Sequence, residues 1–339
     1  MNANTEITDF KGFEAVKLCV GDAFAVVVPE LGSNVVRFRD EHSGVEVFRY
    51  NEKVSGSDMN LQREVWGLPS LYLPNRFGKG LLRTSDALYK LPINETSVGN
   101  HIHGFLHLRS HTVKSLGVIK EQETAFVETE YVYDKNDDFY SHFPVDFICN
   151  IRVELRYKKG APRLYHYIKL INISAKRLPV SLCTHTAINA PFTDGGNEEN
   201  IRLMMPIDTR IDIDRTNWLP SGKPNLPLSD YDFKYKSGSM CPVLHDICNE
   251  MYTLEKPTEQ RNAVVITDNA SGKKIINILS DAYKFIIVWN DGGGKGYFCP
   301  EPMTAQINAP NLDISPIESG YAELEPNGEY TAGQCFVIA

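Results

Sequence analysis

The stretch Phe147-Ile148-Cys149-Asn150-Ile151-Arg152-Val153-Glu154-Leu155-Arg156 decides the fold class. Phe147, Cys149, Ile151, Val153 and Leu155 fall on alternate positions, with Asn150, Arg152, Glu154 and Arg156 between them. Residues two apart share one face of an extended chain, so the segment reads as a half-buried β-strand. Ile207, Ile211 and Ile213 alternate in the same way with Asp208, Asp212 and Asp214. Working outward, β-branched and aromatic runs mark further strands at 24–28, 35–39, 125–133, 164–173, 264–267, 275–279 and 285–289. Turn signals part them: Asp134-Lys135-Asn136-Asp137, Lys159-Gly160-Ala161-Pro162 and Pro326-Asn327-Gly328.

Helix is scarce. Residues 58–66 have room for about two turns, with Ser57 as the expected N-cap. Many strands with few helices between them predict stacked antiparallel sheets, not βαβ units. The expectation is an all-β chain forming one β-sandwich domain over residues 1–339, since no linker-like tract divides it.

The 339 residues carry a formal net charge of −8, which argues against nucleic acid or an anionic membrane as partner. No apolar run is long enough to span a bilayer. The N-terminus lacks the basic start and apolar stretch of a signal peptide, so a cytoplasmic location is expected. Seven scattered cysteines without a Cys-x-x-Cys spacing read as free thiols, not as a disulfide framework or a zinc site.

Three tempting motifs have plainer readings. Asp291-Gly292-Gly293-Gly294-Lys295-Gly296 lacks P-loop spacing and reads as a hairpin loop. Asp134, Asn136 and Asp138 begin like a calcium loop, but Phe139 and Val145 stand where its Gly and Glu belong. His101 and His103 would share a strand face, as metal ligands do, yet no Glu occurs between 96 and 120 to complete the set. The reading is therefore no metal and no cofactor, with one functional histidine among structural ones.

Polar and ionisable groups concentrate in Leu73-Pro74-Asn75-Arg76-Phe77-Gly78, Asn100-His101-Ile102-His103-Gly104-Phe105, Thr184-His185-Thr186 and Cys299-Pro300-Glu301-Pro302. An Arg fork can hold neighbouring hydroxyls, and prolines on both sides stiffen the backbone of Glu301. Each segment alone also fits a solvated turn or a satisfied core residue.

Taken in order, these segments resemble the galactose mutarotase (aldose 1-epimerase) family. The resemblance runs through Pro29-Glu30-Leu31-Gly32, Asn75-Arg76-Phe77, His103-Gly104, Thr184-His185-Thr186, Glu301-Pro302 to Ala309-Pro310-Asn311, and Leu324-Glu325-Pro326-Asn327-Gly328-Glu329. It implies a large antiparallel β-supersandwich and a small sugar as partner. It also implies an activity: interconverting the α and β anomers of a free aldose by acid–base ring opening. Glu301 would be the base and His185 the acid, with His103 as a second active-site histidine and Arg76, beside Asn75, as a sugar-binding arginine. The family's usual aromatics after the acid histidine are replaced by Ala187-Ile188. Its sugar-gripping aspartate has no match in Asn249-Glu250-Met251-Tyr252, leaving Asp246 or Glu250 to substitute. Competing readings are a sugar-binding protein without turnover and a hexose-phosphate mutarotase, for which Arg76, Lys79 and Arg83 are the basic residues at hand.

Ring opening needs one group that takes the anomeric proton and one that protonates the ring oxygen. The expectation is that Glu301 and His185 face each other across a cleft, on opposite sides of the sugar, with the carboxylate raising the histidine's pKa.

Overall fold

The computed structural model describes residues 2–256 and 262–339. Ladders of antiparallel strands dominate it. The N-terminal five strands, Ala3–Phe10 through Val45–Glu46, form a meander. A second, eight-stranded sheet has the strand Phe147–Lys158 between Thr124–Tyr133 and Ala161–Asn172, with Glu329–Ile338 next in order. Burial alternates along Phe147–Lys158 as the sequence predicts: Cys149, Ile151, Val153 and Leu155 are fully buried. On the outer face Arg152 bridges Glu128 on the neighbouring strand and Glu154 on its own.

The third sheet positions the site. Its order runs from Ile207–Ile211 through Glu250–Leu254, Phe285–Trp289, Tyr297–Met303 and Leu182–Thr184 to Ser70–Tyr72. Even-numbered residues of its central strands, among them Tyr252, Ile286, Val288 and Phe298, enter the main core, which extends from Val16 to Ile338. Odd-numbered residues, among them Met251, Ile287 and Met303, lie on the opposite face. Glu301 is odd, so Pro300 and Pro302 share the core-side parity and the carboxyl points away from the core.

Two sequence expectations are corrected here. Ile207 and Ile211 do not share a face. A bulge between Ile207 and Arg210 shifts the register, sending Ile207 into the main core and Ile211 into the cluster on the other side. The first helix runs Gly56–Leu61, and Ser55, not Ser57, caps it by accepting from the Asp58 N–H; a 3-10 turn Arg63–Val65 follows. A helix at Asp230–Ser237 escaped notice because its capping box uses Asp232 where Glu or Gln is usual. The glycine-rich segment at 291–296 is the connection between two paired strands, as read.

Candidate functional site

Pro300 and Pro302 sit in an interior strand, where proline is normally excluded because it withholds a ladder donor. The pairing explains why it is tolerated. Odd residues of Tyr297–Met303 face Phe285–Trp289: the Lys284 N–H donates to the Met303 carbonyl. Even residues face the other neighbour, as Thr304 N–H to Leu182 O and Ala190 N–H to Gly296 O demonstrate. On that side the ladder is broken. It pairs at Cys183 with Met303 and resumes at Ile188 with Phe298, leaving 184–187 apart from 299–302. The missing N–H groups of both prolines fall in this gap. Across it, the Thr186 N–H turns back onto the Thr184 carbonyl at 2.9 Å, while His185 N–H and Ala187 N–H bond to Pro69 and Gly67 on the far side.

The gap holds His185 and Glu301 in contact. His185 Nε2 lies 3.3 Å from Glu301 Oε1, and the two side chains are 5% and 3% exposed. They touch, side by side, and so do not face each other across a cleft. His103 packs edge-on against His185, with ring centroids 5.4 Å apart, and Trp289 does so from another direction at 5.8 Å. Ala187 and Ile188 are buried in the packed clusters, so the aromatic neighbour of His185 is Trp289, which arrives from the adjacent strand.

The strand Arg76–Gly78 pairs with Asn100–Ile102, and the next register step joins His103 N–H to the Asn75 carbonyl at 2.8 Å. Asn75 and His103 both adopt positive φ, 54° and 65°. Gly104 follows with φ 60°, and a Cβ there would lie 1.8 Å from the Tyr72 carbonyl oxygen. Only glycine fits, and this fixes how His103 enters the site. Glu95 clamps the Arg76 fork through Nε and Nη2 at 2.8 Å each.

His101 belongs elsewhere: its Nδ1 meets the Pro92 carbonyl at 2.7 Å and its ring packs on Phe139. His101 and His103 therefore do not present a joint metal face. Glu250 is buried in a separate network, accepting from Tyr235 and Tyr252 with Arg210 at 3.7 Å. Asp246 is on the surface. The residue that does meet Asn75 is Asn249, whose Oδ1 accepts from Asn75 Nδ2 at 3.4 Å. Asn249 Nδ2 and His103 Nδ1 are buried with no protein partner among the described residues, as donors and acceptors reserved for a ligand would be. Sequence reasoning missed Glu95, Asn249, Trp289 and also Trp218, whose ring centroid lies 5.8 Å from the Arg76 guanidinium. A cavity of about 850 Å³ between Thr209, Thr253, Phe285 and Ile314 contains none of these groups.

Burial sets the charges. It pushes the Glu301 carboxyl up to about 8, against the opposing pull of Arg76. It pushes His185 down to about 4, so the expected upward shift from the carboxylate does not materialise. His103 is driven well below its usual value, first by burial and then by His185 beside it.

Residues 14–336 match the family model described as aldose 1-epimerase. The chain belongs to the aldose 1-epimerase family. Among solved structures, a galactose mutarotase-like protein from Clostridium acetobutylicum is 27% identical, with a TM-score of 0.93 over 100% of this chain and 99% of that one. Galactose 1-epimerase from Lactobacillus acidophilus NCFM shares the fold at 15% identity, with a TM-score of 0.73 over 100% and 99% of the two chains. A galactose mutarotase related enzyme from Lactobacillus acidophilus does so at 17% identity and 0.67, over 96% and 97%.

Two stability outcomes are expected. A carboxyl raised from 4.5 to about 8 favours the fold below pH 4.5 and loses that contribution as pH rises to about 8. Glu301→Gln removes the penalty, so at pH 7 it should stabilise the protein by on the order of 1–3 kcal/mol, with little gain at pH 4. Urea melts at both pH values check this; equal gains at both would contradict it. Gly104→Ala should cost at least about 2 kcal/mol in the same assay, from left-handed strain plus the Tyr72 clash.

Proposed function

We propose that this chain is an aldose 1-epimerase, interconverting the α and β forms of an aldose with a free anomeric hydroxyl. The observation that carries this reading is the 3.3 Å contact between His185 and Glu301 inside the broken ladder. Ring opening removes a proton from the anomeric oxygen and delivers one to the ring oxygen. Both oxygens are bonded to the same carbon, so the groups that serve them belong next to each other. Contact suits the chemistry better than placement on opposite faces of the sugar.

Proton bookkeeping agrees. Between about pH 4 and 8 the pair holds a single exchangeable proton, as carboxyl–imidazole or as carboxylate–imidazolium. Arg76 favours the carboxylate. From the ion-pair form Glu301 takes the anomeric proton while His185 protonates the ring oxygen. The pair is left in its neutral form and the sugar as the open aldehyde. Rotation about the bond next to the carbonyl, followed by the reverse transfer, closes the ring on the other face. His103 and Arg76 steady the charge that passes through the ring oxygen and hold the hydroxyls. Trp289 supplies an apolar surface beside the acid.

Anomer exchange measured by NMR or polarimetry tests this. Glu301→Gln and His185→Asn should each lower kcat by about 10²–10⁴ with a much smaller change in KM. Wild-type rates in both variants on an accepted sugar would end the proposal. The pH profile should be a bell with limbs near 4 and 8: below the first no base remains, and above the second no acid.

A further inference from the structure

Arg76 is held by one edge only. Its N–H donors divide into an edge made by Nε and Nη2 and an end made by Nη1. Glu95 takes the edge. Its Oε1 accepts from Nη2 at 2.8 Å and from Nε at 3.1 Å, and its Oε2 accepts from Nε at 2.8 Å. Both side chains are mostly buried, 14% and 18% exposed. Nη1 is left with a long contact of 3.4 Å to Asn75 Oδ1, and Asn75 in turn bonds His103 and Asn249.

Glu95 is itself fixed in three ways. Beside it, Asn94 exchanges two hydrogen bonds with the backbone of Ile102, the residue that pairs with Arg76. The Glu95 carbonyl accepts from the Gly99 and Asn100 N–H groups, which closes the turn. The Asn100 side-chain amide donates to Glu95 Oε2 at 3.4 Å and to the Asn217 carbonyl at 2.7 Å.

Each carboxylate oxygen of Glu95 thus has two donors already, which leaves it little to offer a sugar hydroxyl. Asn94 and Asn100 tie the turn to the ribbon without it, so bracing the fold is not what the ion pair adds. Resting on the epimerase reading, we infer that Glu95 is a positioning residue: it acts through Arg76, holding one edge of the fork so that the Nη1 end is presented to a sugar hydroxyl. Without it the sugar itself would have to order a long side chain, a cost taken from binding. The pairing also tempers charge. Arg76 favours ionised Glu301 and opposes a proton on His103. An unpaired guanidinium would do both more strongly than one balanced by a carboxylate.

Anomer exchange of D-glucose, D-galactose, D-mannose and D-xylose, followed by NMR across pH with the full chain, tests the assignment. On a sugar that the wild type accelerates, Glu95→Gln should lower kcat/KM about tenfold, the scale of one hydrogen bond to a charged group. Its alkaline limb should move below the wild-type value near 8, because the unbalanced guanidinium draws the shared proton off the pair sooner. Glu95→Asp keeps the charge and shortens the reach, so it should lower kcat/KM and leave that limb in place. In an Arg76→Gln background, Glu95→Gln should cost less than about twofold further. Unchanged kcat/KM in Glu95→Gln, an unmoved limb, or the full tenfold loss without Arg76 overturns the inference. If the wild type accelerates none of these sugars, the epimerase reading fails instead, and calorimetric titration with the same sugars decides the role of Glu95. Saturable binding that Glu95→Gln weakens only when Arg76 is present keeps it. Binding that is absent, unchanged by Glu95→Gln, or weakened equally without Arg76 removes it.

Discussion

Two backbone donors that do not exist hold the site open. A regular ladder between Tyr297–Met303 and the chain at 182–189 would place the groups at 184–187 against those at 299–302. Pro300 and Pro302 present no N–H on that side, so closing the strands would gain little. Thr184 and Thr186 satisfy one another locally on the opposing edge. The break is thus stable on both banks. It persists only because each bank has another partner, Phe285–Trp289 on one side and 67–72 on the other.

The parity of the strand does the rest. With the even residues committed to the core, Glu301 must emerge on the far face, and Cys299 and Met303 on either side of it are fully buried. That placement removes water from the carboxyl and from His185, and opposes ionising either one alone. A single proton shared by two groups follows from the burial itself. Were either side chain more exposed, each would keep its solution charge and the pair would lose its balance of donor and acceptor.

Much of this was legible in the sequence, for a physical reason. Strand alternation is local, and the runs at 147–155, 164–173 and 285–289 appear close to where they were read. The segments that hold Glu301, His185 and His103 stood out because backbone constraints leave marks on neighbouring residues: prolines around Glu301, threonines around His185, a glycine after His103. Asn249, Glu95, Trp218 and Trp289 carry no such marks. Their placement comes from pairing between segments apart in the chain, such as Asn75 with Asn249. The bulge at Ile207–Arg210 was invisible for a related reason. An inserted residue changes which face a side chain occupies without changing the apolar pattern.

Several residues in and next to the site depart from the chain's easy conformations. Leu73, Asn75, His103 and Asn249 all have positive φ, which costs a residue with a Cβ on the order of 1 kcal/mol each. Glu301 adds the cost of a carboxyl kept out of water. None of this helps the fold, and apolar packing on three sheets has to offset it. The strained residues bring together groups that no single strand could present: Asn75 and His103 from one small ribbon, Asn249 from the head of a central strand, His185 and Glu301 from the two edges of the gap. Relaxing any one of them to an extended conformation would turn its side chain by half a pleat and remove it from the cluster. At Asn75, His103 and Asn249 the strain and the convergence are therefore one feature.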